Sequence, residues 1–327
     1  MTHIKKISAV LLSTVLTAAM LIGCDIHSKG IKRADDDNIN VVCTIFPQYD
    51  WVRQIVGDKG NTINIKLLSS NGTDLHSFQP TVSDIISISQ ADLFVYVGGE
   101  SDEWVEDVLE DSINPNRRVI SLMDVLGNSL KQEKIVEGMQ ECDDDHDDIE
   151  YDEHVWLSLK NAILFCKEIT AKLIEIDEKN TDVYSANSKN YIEKLESLDK
   201  EYRTAVDIAN KKVLLFGDRF PFRYLTDDYG ISYYAAFVGC SSETIASFET
   251  IKFLAEKVDK LELSSVIALE GSSKKIAETI INNTKNKNQN ILTLNSMQSV
   301  SSRDIENGTD YLVIMKKNLE VIKTALS

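Results

Sequence analysis

From Val183 to Asn210 the chain contains neither Pro nor Gly, and Tyr191, Leu195, Leu198, Tyr202 and Val206 recur at helical spacing between Lys and Glu residues. A single helix of that length spans roughly 40 Å at 1.5 Å per residue, about the diameter of a lobe. Strands and helices alternate on both sides of it. Ile39 to Ile45 reads as a buried strand closed by Phe46 and Pro47, with a helix from Gln48 to Val56. Strands then follow at Ile63–Leu68, Ala91–Val97 and Arg118–Ser121, with helices at Thr81–Gln90, Glu103–Asp111 and Leu157–Ile176. Beyond the long helix, strands are expected at Lys212–Phe216, Tyr233–Val238, Val266–Ser272 and Ile291–Leu294. Helices are expected at Ser247–Leu261 and again from Asp310 towards the C-terminus. This alternation predicts an α/β fold of mainly parallel sheets covered by helices, and 327 residues suffice for two domains.

The N-terminus reads as an export signal, with Lys5 and Lys6 ahead of the apolar run Ile7–Ile22. Leu21-Ile22-Gly23-Cys24 has the form of a lipobox, which makes Cys24 the lipid attachment point; a plain secretory signal or an uncut anchor are the alternatives. Two acyl chains suffice for stable membrane attachment. Residues 25–38 are polar, lack an apolar period and read as a flexible tether. Cys43, Cys142, Cys166 and Cys240 show no C-x-x-C spacing, so no zinc ribbon or redox motif is indicated. A formal charge of -17 excludes a nucleic-acid partner, which needs clustered Lys and Arg. The run Asp143–Asp148 reads as a solvated acidic loop with the capacity to hold a cation loosely through oxygen.

Two histidines carry the functional signal. His76 stands in a loop after the second strand, at the carboxyl end where α/β sheets bind ligands. His154 follows the acidic run. A neutral imidazole is a ligand for transition metals. His76-Ser77-Phe78-Gln79-Pro80 fits the pattern H-x-(Y/F)-(E/Q)-P, and Glu153-His154-Val155-Trp156-Leu157 fits (D/E)-H-(V/I)-W-(L/M). With these two motifs, the chain from about Asn40 to its end resembles the solute-binding lipoproteins of zinc and manganese ABC transporters, a cluster that includes streptococcal adhesins.

The resemblance implies two lobes, residues 39–179 and 212–327, joined by a backbone helix at 180–211. It implies capture of a divalent cation in the interlobe cleft, zinc first with Mn(II) or Fe(II) as alternatives, and delivery to a membrane permease and its ATPase. The protein would be a lipid-anchored monomer on the outer face of the cytoplasmic membrane. A third family ligand, His or Glu, falls on Arg219, which does not deprotonate and cannot bind a cation. Asp218 is the substitute, its other reading being a helix cap or a partner for Arg219. Glu270, at the carboxyl edge of the penultimate strand, either lies near the metal or bonds its own loop. The fourth family ligand falls among Asn295, Ser296 and Gln298, all neutral oxygens and poor ligands. A feeder loop for metal is implied at the acidic run. Two other readings stand beside capture: a surface adhesion lipoprotein with a vestigial metal site, and a zinc hydrolase. Against the hydrolase, the sequence holds no H-E-x-x-H and no obvious general base beside the histidines.

Overall fold

The structure, a computed structural model, describes residues 38–58, 62–110, 113–140, 150–241 and 245–327. The segment read as an export signal with Cys24, residues 25–37 of the expected tether, Cys142 and the acidic run 143–148 lie outside them. The first lobe contains β1 (Ile39–Cys43), α1 (Phe46–Val56), β2 (Ile63–Leu67), α2 (Val82–Gln90), β3 (Leu93–Tyr96), α3 (Trp104–Glu110), β4 (Arg118–Ser121), α4 (Leu122–Leu126) and α5 (Leu159–Ile176). The long helix α6 (Thr181–Asp207) leads to β5 (Val213–Phe220), α7 (Arg223–Tyr229), β6 (Ser232–Val238), α8 (Phe248–Lys260) and β7 (Ser265–Leu269). The chain ends with α9 (Lys275–Asn282), β8 (Asn290–Leu294), α10 (Ser302–Glu306) and α11 (Tyr311–Ala325). Among the described residues no helix is long and apolar enough to cross a membrane.

Both sheets are parallel throughout, and they share one topology, β2-β1-β3-β4 and β6-β5-β7-β8. Parallel strands buried on both faces read as unbroken apolar runs, and the alternation of side chains shows why. Val41, Cys43, Leu93 and Val95 face one large core, while Val42 and Phe94 point the other way, into a small core under α2 and α3. In the second lobe Leu214, Phe216, Ile267 and Leu269 join the same large core. Leu215 and Val266 face a third core under α8 and α9. The large core is therefore continuous across both lobes. Leu195, Leu198, Tyr202 and Val206 of α6 and Tyr311, Met315 and Leu319 of α11 all lie in it. The Tyr202 hydroxyl donates to the Met315 carbonyl at 2.6 Å, locking α6 to α11.

Two elements differ from the sequence reading in ways that matter. Phe46 and Pro47 do not close β1; they open α1. Proline in a first turn gives up only an N–H that would be orphaned there, and Gln48 Oε1 accepts from the N–H groups of Thr44 and Ile45 at 3.0 and 3.3 Å. Strand β5 does not stop at Phe216 but continues to Phe220 through a register shift between Phe216 and Arg219. Asp218 is thus part of a strand, not of a loop beyond one.

Because Leu195 is fully buried in the shared core, Leu195→Ala is expected to cost about 2–5 kcal/mol of folding stability. Urea unfolding followed by circular dichroism should still show one transition for both lobes. Two separated transitions would mean that the lobes do not share a core.

Candidate metal centre

His76 is held by a short turn, Leu75–Ser77, whose N-terminus is capped by Asp74: its Oδ1 accepts the His76 N–H at 3.1 Å. Leu75 is buried and fixes the turn against the core. Asp74 Oδ2 accepts from Arg219 Nη2 of β5 at 2.8 Å, an ion pair from one lobe to the other. Burial alone would raise the Asp74 carboxyl, but Arg219 outweighs it and holds it below the usual range.

His154 caps the turn Val155–Leu157 and is completely buried. The rest of its motif is scaffold. Trp156 Nε1 donates to the Ser296 carbonyl at 2.8 Å, and the Tyr311 hydroxyl donates to the Trp156 carbonyl at 2.7 Å. The Tyr224 hydroxyl donates to the Asp152 carbonyl at 3.0 Å. All three bonds tie the His154 turn to the second lobe. Asp152 Oδ1 accepts the His154 N–H at 2.8 Å and lies 3.1 Å from His154 Nδ1. A carboxylate on Nδ1 keeps the proton there, leaving Nε2 as a bare lone pair. Gly239, just past β6, closes on the other side. A Cβ at that position would lie 2.9 Å from His154 Cε1, so only glycine lets the backbone come this near.

The two imidazoles meet at Nε2, 3.2 Å apart. His76 Nδ1 lies 2.7 Å from Ser101 Oγ and 3.7 Å from Glu153 Oε2. The negative side of that ring favours its proton at Nδ1, so a second lone pair is aimed at the first. Glu153 Oε1 accepts the Ser101 N–H at 2.9 Å, and Oε2 has no hydrogen-bond partner among the described residues. Gly99, at φ +80°, admits that carboxylate: a Cβ there would lie 2.4 Å from Glu153 Oε1. Two facing lone pairs repel unless a cation stands between them. With Zn–N bonds of 2.0–2.1 Å, two nitrogens of a tetrahedral zinc site are roughly 3.3 Å apart. The observed separation is close to that geometry, and it is also that of one hydrogen bond between the rings.

Burial pushes His76 down to about 3, and the charge of His154 pushes the same way. For His154 burial also acts downward, but Asp152, Glu153 and Glu133 outweigh it and raise the imidazole above its ordinary value. Without metal, one proton on His154 takes the cation's place between the rings.

Asp218 and Glu270 are not brought to this pair. Asp218 accepts the N–H of Arg219 at 2.9 Å and that of Leu269 at 3.1 Å, stitching β5 to β7. Glu270 accepts from the Ser296 N–H and hydroxyl at 2.8 and 2.6 Å, bracing the segment whose Ser296 carbonyl accepts from Trp156. Among the described residues, the group able to hold a metal through one atom each is His76, His154 and Cys240, whose ligand atoms lie within 4.8 Å of one another. Cys240 lies far from both motifs in sequence, and its only sequence signal was its place just past a strand's carboxyl end. A cleft of about 230 Å³ leads to the group and is lined by Glu100, Glu133, Glu150 and Glu153 among others. Glu100 and Glu150 are exposed at the mouth, with Glu133 and Glu153 deeper in, and this acidic lining attracts cations and disfavours anions.

Residues 41–325 match the family profile described as zinc-uptake complex component A, periplasmic. The high-affinity zinc uptake system protein ZnuA of Bacillus subtilis is 32% identical over 308 residues, covering 91% of each chain. The zinc-binding lipoprotein AdcA of Streptococcus pneumoniae is 30% identical over 98% of this chain, which spans only 60% of the length of that relative. The crystal structure of the Zn(II)-bound ZnuA-like domain of the pneumococcal AdcA superposes with a TM-score of 0.69 at 28% identity, covering 88% of this chain and 99% of that one.

Two measurements check the electrostatics of the pair. In the metal-free protein, imidazole resonances should show His154 titrating above the ordinary histidine range and His76 remaining neutral down to about pH 3; the reverse order would contradict the charge distribution described. Asp152→Asn should keep the fold and weaken zinc binding about 10- to 100-fold by calorimetry, because the carboxylate no longer fixes the Nδ1 proton.

Proposed function

The chain belongs to the family of the zinc-uptake complex component A, and from that premise we propose that it is the extracytoplasmic zinc-binding component of an ABC uptake system. In this reading it captures one Zn(II) ion between its lobes and hands it to a permease driven by an ATPase. The observation that carries the reading is the pair of motif histidines with Nε2 atoms 3.2 Å apart, each Nδ1 side occupied by an oxygen partner. Zinc is cargo here, not a cofactor. The imidazoles supply borderline nitrogen donors that suit zinc, the buried turns hold them in place, and the acidic mouth gathers cations.

The relatives carry the names of zinc-uptake and zinc-binding proteins rather than of enzymes, which favours capture over hydrolysis. The lobes are assigned to 39–179 and 212–327 with 180–211 as connector, a division that leaves each parallel sheet within one lobe. Attachment to the outer face of the cytoplasmic membrane through Cys24 belongs to the same reading and rests on the lipobox.

Calorimetry tests it. The chain should bind one Zn(II) tightly, and His76→Ala or His154→Ala should each weaken binding by more than about 100-fold, beyond the effect typical of an outer-shell partner. Unchanged affinity in both variants would remove the capture site and with it this function.

A further inference from the structure

We propose that the Cys240 thiolate is the third zinc ligand, completing a His76, His154, Cys240 donor set; this rests on the zinc-capture reading. Three independent observations converge on Cys240. Its sulfur belongs to the group whose ligand atoms lie within 4.8 Å of one another. For a tetrahedral ion with Zn–S near 2.3 Å and Zn–N near 2.05 Å, the sulfur–nitrogen separation is roughly 3.6 Å. A side-chain adjustment of about an ångström closes the site, which is within the reach of one Cys torsion.

The second observation is the backbone that presents it. Gly239 lies against the His154 ring with no room for a side chain, so the next residue is delivered to the imidazole's edge. Cys240 N–H donates to Glu133 Oε1 at 3.3 Å. The third observation is what the other candidates are doing. Arg219 is paired with Asp74, Asp218 bridges β5 to β7, and Glu270 holds Ser296. Cys43 and Cys166 are core residues, fully enclosed among apolar side chains. Among the described residues Cys240 is in no disulfide; it is only partly buried, and it lines the entrance cleft.

Binding exchanges a proton for the metal. The S–H bond breaks, the sulfur lone pair forms the Zn–S bond, and the proton leaves to solvent; no electron moves. A thiolate in the set changes the cargo preference. Two imidazoles with carboxylates tolerate Mn(II), whereas a soft sulfur donor turns the site towards zinc and away from manganese.

Cobalt(II) reports the donor set directly. The full chain, reduced and then freed of reductant, is titrated with Co(II) alongside Cys240→Ser, with near-ultraviolet circular dichroism confirming that both are folded. The wild type should take one cobalt with the visible bands of a four-coordinate site and a near-ultraviolet thiolate-to-cobalt charge-transfer band. Cys240→Ser should still bind cobalt through the imidazoles, lose the charge-transfer band, and lose more than about 100-fold in zinc affinity. It should also lose most of the wild type's preference for Zn(II) over Mn(II). Cobalt bound by the wild type without the charge-transfer band, or with a band unchanged in Cys240→Ser, overturns the assignment of Cys240 and leaves zinc capture standing. No cobalt bound by the wild type overturns both.

Discussion

Two imidazole Nε2 atoms 3.2 Å apart leave room for one positive charge between them, a proton in the metal-free protein, and much of this structure exists to keep that geometry. Neither imidazole is free to turn away. His154 is held by its own backbone bond to Asp152 and by the ring contact to the same oxygen. His76 is held through Ser101, which is itself held by Glu153. Behind Glu153 stands Asp102, completely enclosed, accepting the N–H groups of Val97 and Gly98 at 2.9 and 3.1 Å. Burial raises Asp102 to about 7, so the turn that shapes this wall is anchored by a carboxyl near its own titration point. The constraint therefore runs from the rings outward through two shells of acids, each with its own partners.

The same logic explains why a positive residue is tolerated beside a cation site. Arg219 does not face the ion as a ligand would; its guanidinium is committed to Asp74. Its charge adds to burial in keeping His76 neutral, which leaves that ring's lone pair available. The ion pair also fixes the His76 turn from the opposite lobe. At the position where the resemblance would put a metal ligand, this chain has a strut that holds the His76 turn.

Much of this was legible in the sequence, but not uniformly. The parallel α/β fold followed from unbroken apolar strands such as Val41 to Cys43, whose alternate residues face two different cores. The long helix followed from its period, and the histidines from their motifs. Three things were not legible. The start of α1 was hidden because Phe46-Pro47 reads as a strand stop unless the Gln48 side chain's bonds to Thr44 and Ile45 are known. The environment of Asp218 was hidden because a register shift, invisible in composition, carries β5 past it. Cys240 was hidden because proximity to His154 is made by Gly239 and strand order, not by spacing along the chain. Local pattern finds residues that act through a motif; residues brought in by topology have no pattern to find.

The shared core limits how such a site can open. Prising the lobes apart as rigid bodies would break the buried bonds of Trp156 to Ser296, Tyr311 to Trp156 and Tyr224 to Asp152, each costing about 1–3 kcal/mol when its partner is left unsatisfied. It would also expose apolar surface along α6 and α11, where Leu195, Leu198, Met315 and Leu319 are buried. The cleft side carries less of this core. Glu100 and Glu150 are exposed there, and Tyr151 stands in contact with solvent at the rim. The architecture thus separates two regions: a shared core that holds the two imidazoles in register, and an acidic edge that lies exposed beside them.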